Sequence, residues 1–558
     1  MGYNVYMHIA RSSWTSKNGK TYQSVWLRQT YREGKATHKR DVANLKGCSR
    51  EEIDAIELAL KHRGNLAALA SIKDVKIKEG LSVGAVWTVY EVARGLGLEK
   101  VLGQEHAGKL ALWQVIARVL DQGSRLSAVR LARVQAACDV LGFQRGFNEN
   151  DLYENLTWLS AQQPHIEKGL FRARWGKARP ELLLYDVTST YLEGEHNAFG
   201  AFGYNRDKKE GKMQIVVGLL CDGEGDPVSV EVFEGNTQDP KTFAAQVKKA
   251  ATRFGCTHVT MVGDRGMIKR AQIEKLPEGF HYITAITKPQ IETLLKNNAF
   301  QMSLFDDALC EIEYEKIRYI LRRNPVRVRE MALTREDKRR RVERVTAQRN
   351  AYLAEHPRAR TSTALNEVRA KIAQLGLNAW LDVTETQRVL AVTENAEVLK
   401  AATRLDGCYV IKTDVPKDVA DTAKVHQHYK DLAQVEQAFR TSKTVHLEMR
   451  PVYVWNKANT QGHVFVVMMA YLIRRVLSRA WAALDTTVEE GLDQLKTLCT
   501  MDVSFPGSGT CLQIPEPRDD SIALLNALNI MIPPVLPKSP ARVDTHKKLN
   551  KERKHVEK

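Results

Sequence analysis

Residues 181–190 read ELLLYDVTST. A run of leucines leads straight into Asp186, and a polar cluster of Thr188, Ser189, Thr190 and then Tyr191 follows. So short an apolar run predicts a buried strand ending at Asp186. A carboxylate at the end of a buried strand is costly unless something pairs with it. Alone, such an Asp reads as a turn former or helix cap, so the rest of the chain has to decide its role.

Working outward, MQIVVGLLCD (213–222) predicts a second strand, Gly-Glu-Gly at 223–225 a reversal, and PVSVEVFEG (227–235) a third strand. DPKTFAAQVKKAATRFG predicts a helix, with a Pro near its start and a Gly at its end. HVTMVGD (258–264), IKRAQIEKL and HYITAI (281–286) follow as strand, helix and strand. Three hairpin-connected strands followed by helix, strand, helix and strand form a mixed α/β pattern, the element order of a ribonuclease H-like core. In such a sheet the first strand lies beside the fourth, so Asp186 and Asp264 would meet at one edge. Two carboxylates placed there repel and raise each other's pKa. A hard divalent cation relieves that conflict, and a pair of ions can clamp both oxygens of an in-line phosphoryl displacement.

A third acid is expected from a helix packed on the same edge. In YKDLAQVEQAFRTSK, residues Tyr429, Leu432, Glu436 and Lys443 share one helical face, and Leu432, Val435 and Phe439 form its apolar stripe. Glu436 would then sit beside the core, with Lys443 placed to neutralise a phosphate. Glu436 alone would read as a solvated helix residue. It is three acids in the right elements, in order, in a basic chain that point to one site.

The charge balance agrees. Among 558 residues, 83 Lys and Arg stand against 66 Asp and Glu, a net charge of +17 that points to a polyanion such as nucleic acid, or to an anionic membrane surface. No stretch approaches the roughly 18 apolar residues of a membrane span, and the first twenty residues lack the layout of a secretory signal. The eight cysteines are scattered without a CxxC, which predicts reduced thiols in a cytosol or nucleoid and neither a disulfide frame nor a zinc site.

The chain divides, on this reading, into a small β-rich region (1–75), a helical DNA-binding domain (76–178), the first part of the core (179–290), an insertion (291–408), the second part of the core (409–482) and a C-terminal region with a disordered basic tail (483–558). The short helices with tight turns before residue 175 suit either a helix-turn-helix module or a plain bundle. His463 reads as a packing histidine, and DGEGD (222–226) as a hairpin turn rather than a calcium loop.

Taken together, YDVTSTYLEGE, GYNRDKKEGKMQIVVGLLCDGEGDPVSVEVFEGNTQD, VGDRGM, the Tyr429/Glu436/Lys443 spacing and LEMRPVYVWNKANTQGHVFVVMMAYLI resemble the DDE transposases of bacterial insertion sequences. The resemblance is to the branch whose last acid lies in a Tyr-x2-Arg-x3-Glu-x6-Lys signature. It runs from about residue 180 to 480. It implies a DNA transposase with endonuclease and strand-transfer activity, in which Asp186, Asp264 and Glu436 are catalytic and hold two Mg²⁺ ions, with Mn²⁺ able to substitute. It further implies DNA contacts at Tyr429, Lys443, Arg265 and Arg440, and supporting roles for Thr188, Thr190 and Asn236. The threonines would orient Asp186 or touch phosphate, the alternative being hydrogen bonds at the strand end.

The family's Arg is Leu432 here, which removes one expected phosphate contact, with Lys430 or Arg440 available to take it over. The resemblance also implies a β-rich insertion in the core, which fits the 172 positions between Asp264 and Glu436 against 78 between the two aspartates. Double-stranded DNA (element ends and target) and a homodimer in a synaptic complex are the implied partners, with end recognition in the first 175 residues. Where relatives pass through a DNA hairpin, Trp380 or Trp455 could hold an extruded base, core packing being the alternative for each. The competing readings are an inactive DNA-binding descendant and a ribonuclease H-like nuclease acting on structured DNA.

Overall fold

The computed structural model describes residues 6–33, 36–63, 76–207, 209–444, 446–451, 453–505 and 509–547. The chain forms two compact units. One comprises Met1–Tyr90, Arg130–Gly146 and Trp481–Asp544, the other Glu91–Val129, Phe147–Ala480 and Thr545–Lys558. The helical stretch read as one region at 76–178 is thus shared between them.

In the first unit, strands Tyr6–Thr15, Thr21–Glu33 and Ala36–Asn44 form an antiparallel meander. Helix Arg50–Lys61 follows, opened by a capping box in which Ser49 and Glu52 satisfy each other's backbone donors. The C-terminal region returns to this unit. Hairpin Cys499–Phe505 and Gly509–Gln513 adds strand Lys76–Ser82 along its first strand. Trp481 is fully buried, and Gly491 lies so close that a Cβ there would stand 2.5 Å from the indole ring. The stretch SAVRLARVQAACDVLG does not form one helix. It breaks between Arg125–Ala132 and Ala137–Leu141, because Val134 and Ala136 bond the Ser82 backbone at 3.1 and 2.7 Å in a short bridge.

The second unit is built on an eight-stranded sheet. Its order is Cys310–Tyr314, Ile317–Arg323, Cys408–Thr413, Phe280–Ala285, Val259–Gly263, Leu182–Tyr191, Gln214–Asp222 and Pro227–Glu234. Only the ladders joining Leu182–Tyr191, Val259–Gly263 and Phe280–Ala285 are parallel. The first and fourth strands of the expected pattern are therefore neighbours.

Asp186 does not end its strand. The strand runs on to Tyr191, paired with Gln214–Asp222 throughout, because Val187, Thr188, Thr190 and Tyr191 all favour the pleated conformation. What stops near Asp186 is the parallel ladder, whose last register pair is Tyr185 with Gly263. Thr188 and Thr190 are consequently buried strand residues, not a strand end.

Side chains alternate across this strand. Leu183, Tyr185 and Val187 enter a core with Phe243 and Val247 of helix Asp239–Thr252 and with Phe171. Asp186 and Thr188 belong to the opposite face, on which helix Thr422–Lys443 packs. Leu432, Val435, Ala438 and Phe439 are the buried side of that helix, as their spacing predicts.

The segment 291–408 is not β-rich. Strands Cys310–Tyr314 and Ile317–Arg323 extend the main sheet, and the remainder is dominated by helices Pro325–Glu355 and Thr361–Gln374 beside one hairpin, Leu381–Thr386 and Val389–Glu394. The long helix is charged nearly all round. Pairs Glu336–Arg340, Asp337–Arg341 and Arg339–Glu343 support it at i,i+4 spacing. Its few buried residues join Trp380, Val383 and Leu390 in a small core of their own.

Helix His106–Leu120 is buried from Leu110 to Leu120, so it is a core element with no free face to lay in a DNA groove. The C-terminal segment is ordered further than expected. Ser539 donates its amide to Asp139 at 2.7 Å, and the amides of His546 and Lys547 donate to Glu149 at 2.9 and 2.6 Å. The remainder of the basic tail, from 548, lies outside the described residues.

Candidate active site

Asp186 and Asp264 leave adjacent parallel strands at the same level, since the ladder between them closes on Tyr185 and Gly263. Strands in register lie roughly 4.8 Å apart. Asp264 is exposed in the turn that follows, where its carboxylate accepts from the Arg265 amide at 2.7 Å. Glu436 comes from the flank of helix Thr422–Lys443. All three acids line one cleft of about 500 Å³, together with Thr188, Arg206, Asp239, Arg440 and Lys443.

Electrostatics tie the acids together. Burial pushes the Asp186 carboxyl up to about 7; Asp264 and Glu436 add to this, while a Val187 backbone hydrogen bond and Arg206 oppose it. Tyr429 is half-buried, and burial raises its phenol, with Asp264, Glu436 and Asp186 pushing the same way against Arg265. Tyr429 is therefore a close neighbour of the three acids.

The cations in the cleft are largely spoken for. Lys443 Nζ donates to the Ser189 carbonyl at 2.7 Å and to Thr188 Oγ1 at 3.3 Å, and pairs with Asp207. Its charge is thus already paired with a carboxylate in the structure. Arg206 grips both oxygens of Asp239 at 2.7 and 2.8 Å, and its amide donates to Ser189 Oγ at 3.0 Å. Arg440 is exposed in the cleft wall. Leu432 points into the core, so it packs where the family Arg would stand; Arg440, not Lys430, is the basic residue of that helix turned to the cleft alongside Lys443.

Other expected residues fall away from the cleft. Asn236 is exposed in the turn after Pro227–Glu234, and Thr190 is fully buried with its hydroxyl unpaired; neither lines the cleft. Arg265 is exposed beside Asp264. Trp380 belongs to the insertion core, whereas Trp455 is 67% exposed. The turn DGEGD is closed by arginines: Arg174 meets Asp222 and Asp226, and Arg475 and Arg479 meet Asp226. Arg206, Asp207 and Asp239 were not assigned charged roles from sequence. The signal was present in GYNRD and GNTQD, but partners that far apart carry no spacing rule.

The donor set suits a hard cation, since Asp186, Asp264 and Glu436 offer only carboxylate oxygens. Among the described residues no three His, Cys, Asp or Glu side chains already converge tightly enough to hold an ion. Glu436 lies on the exposed flank of its helix.

A model of the family described as "Transposase DDE domain" matches residues 177–473, and one described as "IS1634 family transposase, N-terminal domain" matches residues 9–69. Among solved structures, the chain is similar to that titled "Cryo-EM structure of piggyBac transposase synaptic complex with hairpin DNA", at 8% identity and a TM-score of 0.36, covering 74% of this chain and 76% of that one. No curated protein gives a significant match.

Proposed function

The chain belongs to the DDE transposase family of insertion sequences, and from that premise we propose that the cleft of Asp186, Asp264 and Glu436 is its site of DNA cleavage and strand transfer. The protein is a DNA transposase. The observation that supports the assignment of residues is the level register of Asp186 with Asp264, with Glu436 in the same cleft. The three hairpin-linked strands, with the first parallel to the fourth and the fourth to the fifth, support a ribonuclease H-like reading of the core.

The three acids would hold Mg²⁺, two ions on the family pattern. When bound, the metal supplies charge stabilisation for phosphoryl transfer and a more acidic water. The chain's own residues do the rest. The sheet fixes Asp186 and Asp264 on rigid backbone, and Lys443 clamps the Glu436 helix to the Asp186 strand. Arg206 keeps Asp239 neutralised within the cleft. Arg440 and Arg265 stand where a DNA backbone entering the cleft would pass, and Tyr429 would border it. Contacts of this kind supply most of the affinity and make it salt-sensitive.

A dimer joining two element ends, and a place at the bacterial nucleoid, belong to the same proposal. No helix among the described residues is long and apolar enough to cross a membrane.

Cleavage of end DNA in Mg²⁺ by Asp186→Asn, Asp264→Asn and Glu436→Gln tests the assignment. Each variant should lose at least about a thousandfold in rate while binding end DNA as wild type does. Wild-type cleavage by any one of them removes that residue from the site.

A further inference from the structure

A second cavity, of about 310 Å³, has no part in the chemistry above. Its wall includes Arg118, Arg125, Tyr153, Glu448, Arg450 and His463. Arg118 and Arg125, from helix His106–Leu120 and the start of helix Arg125–Ala132, are each only 4% exposed. Neither hydrogen-bonds a carboxylate. Arg118 donates through Nη1 to the Gln122 and Leu447 carbonyls, and its Nε has no partner. Arg125 donates to Gln114 Oε1 at 2.5 Å and reaches His463 Nδ1 at 3.0 Å.

That last bond settles the imidazole. Burial, with Arg118 and Arg125 beside it, pulls the His463 pKa well below its ordinary value, so the ring is neutral. Arginine can only donate, so Nδ1 is the acceptor and the proton sits on Nε2. The ring also lies against the backbone carbonyls of Met449 and Glu448. The wall therefore carries one unsatisfied donor, Arg118 Nε, and two buried guanidinium groups. Burial lowers Arg118 to about 10, with Asp121 and Glu448 opposing it, and Arg125 to about 9, with Arg118 adding to it and Tyr153 opposing it. The one acid of the wall, Glu448, is already gripped by Arg450 through Nε and Nη2, at 2.7 Å each.

A site of donors and positive charge with no unclaimed acid calls for a ligand that is anionic and accepts on several oxygens. We propose that this cavity is a binding pocket for a phosphate group. Two sources share that chemistry, a backbone phosphate of bound DNA and free inorganic phosphate. The first rests on the transposase reading above. It is favoured by continuity with the cleft, because Arg450 also bonds Tyr191, the last residue of the Asp186 strand. Five residues of strand span roughly 17 Å, a distance one DNA strand covers without leaving the protein.

The test uses the full chain without divalent metal. Inorganic phosphate, against chloride at matched ionic strength, should raise the melting temperature saturably in the wild type and not in Arg118→Met. On end DNA, Arg118→Met and Arg118→Gln should lower the slope of log affinity against log salt by about one. A neutral methylphosphonate walked along the DNA should weaken wild-type binding at one position and leave the Arg118 variants indifferent to it; this arm and the phosphate titration need no stable variant to read the wild type. A slope change with a methylphosphonate position identifies the DNA backbone, and a thermal effect alone identifies free phosphate. No thermal effect, no slope change and no methylphosphonate position together overturn the pocket and leave a water-filled cavity. Because no arm reads cleavage or uses a divalent metal, failure of the active-site assignment would show separately, in the cleavage assay.

Discussion

Lys443 donates to the Ser189 carbonyl at 2.7 Å, three residues beyond Asp186 on the same strand, and closes on Asp207 as it does so. The residue that sequence spacing offered as a phosphate contact is a fastener between the Glu436 helix and the Asp186 strand. Lys443→Met and Asp207→Asn should therefore each slow cleavage by about tenfold, through misplacement of Glu436. The double variant should be little worse than either single one, a coupling of at least about 1 kcal/mol. Strictly additive rates would separate the two residues.

Arg206 holds Asp239 through both carboxylate oxygens. Both bonds leave one nitrogen, Nη2, so the pairing is removed by a side chain that has no donor. Arg206→Met should cut single-turnover cleavage about tenfold and leave end-DNA affinity within twofold. An equal loss in binding would show that Arg206 contacts DNA instead.

Glu311 anchors the start of the Glu436 helix. Arg318 reaches it at 2.8 Å, Thr422 at 2.6 Å and Lys417 at 3.2 Å. Burial works against its charge, but these hydrogen bonds prevail and hold the carboxyl at about 2. A carboxyl depressed in the folded state stabilises fully above its unfolded pKa of about 4.3 and loses that contribution as pH falls toward 2. Glu311→Gln should be less stable at pH 7 by at most about 3 kcal/mol, and its melting-temperature deficit should shrink between pH 4.5 and pH 3. A deficit independent of pH would assign the effect to shape alone.

Trp380 and Trp455 can be told apart by stability. Trp380 is 7% exposed among Val383, Leu390 and Ile372, so Trp380→Ala should cost about 3 kcal/mol in the insertion core. Trp455 is 67% exposed, and Trp455→Ala should stay within about 0.5 kcal/mol. If DNA is passed through a hairpin, only the Trp455 variant should alter the products with stability intact. Thermal melts and product gels on the same samples check both.

Much of the site was legible because it rests on local regularities. Apolar runs of strand length placed Asp186 and Asp264, and a 3.6-residue stripe placed Leu432, Val435 and Phe439 inside and Glu436 beside them. Boundaries were less legible. The run VTSTY looked like a polar segment beyond the strand, and it is the strand's second half, because Gln214–Asp222 continues to pair with it as far as Tyr191. The insertion was misread as β-rich because Cys310–Tyr314 and Ile317–Arg323 do look like strands. Nothing local shows that they join the main sheet, or that the charged segment after them is one helix of 31 residues.

The sequence by itself determined the order of elements, the three acids and the basic character, since these depend on residue type and short-range periodicity. The tertiary structure alone decided which charges remain available. Lys443 meets Asp207 across 236 positions of chain, Arg125 meets His463 across 338, and Tyr185 stands level with Gly263 only through strand register. Pairing over such separations follows from packing of the whole sheet and its helices, and no periodicity along the chain encodes it.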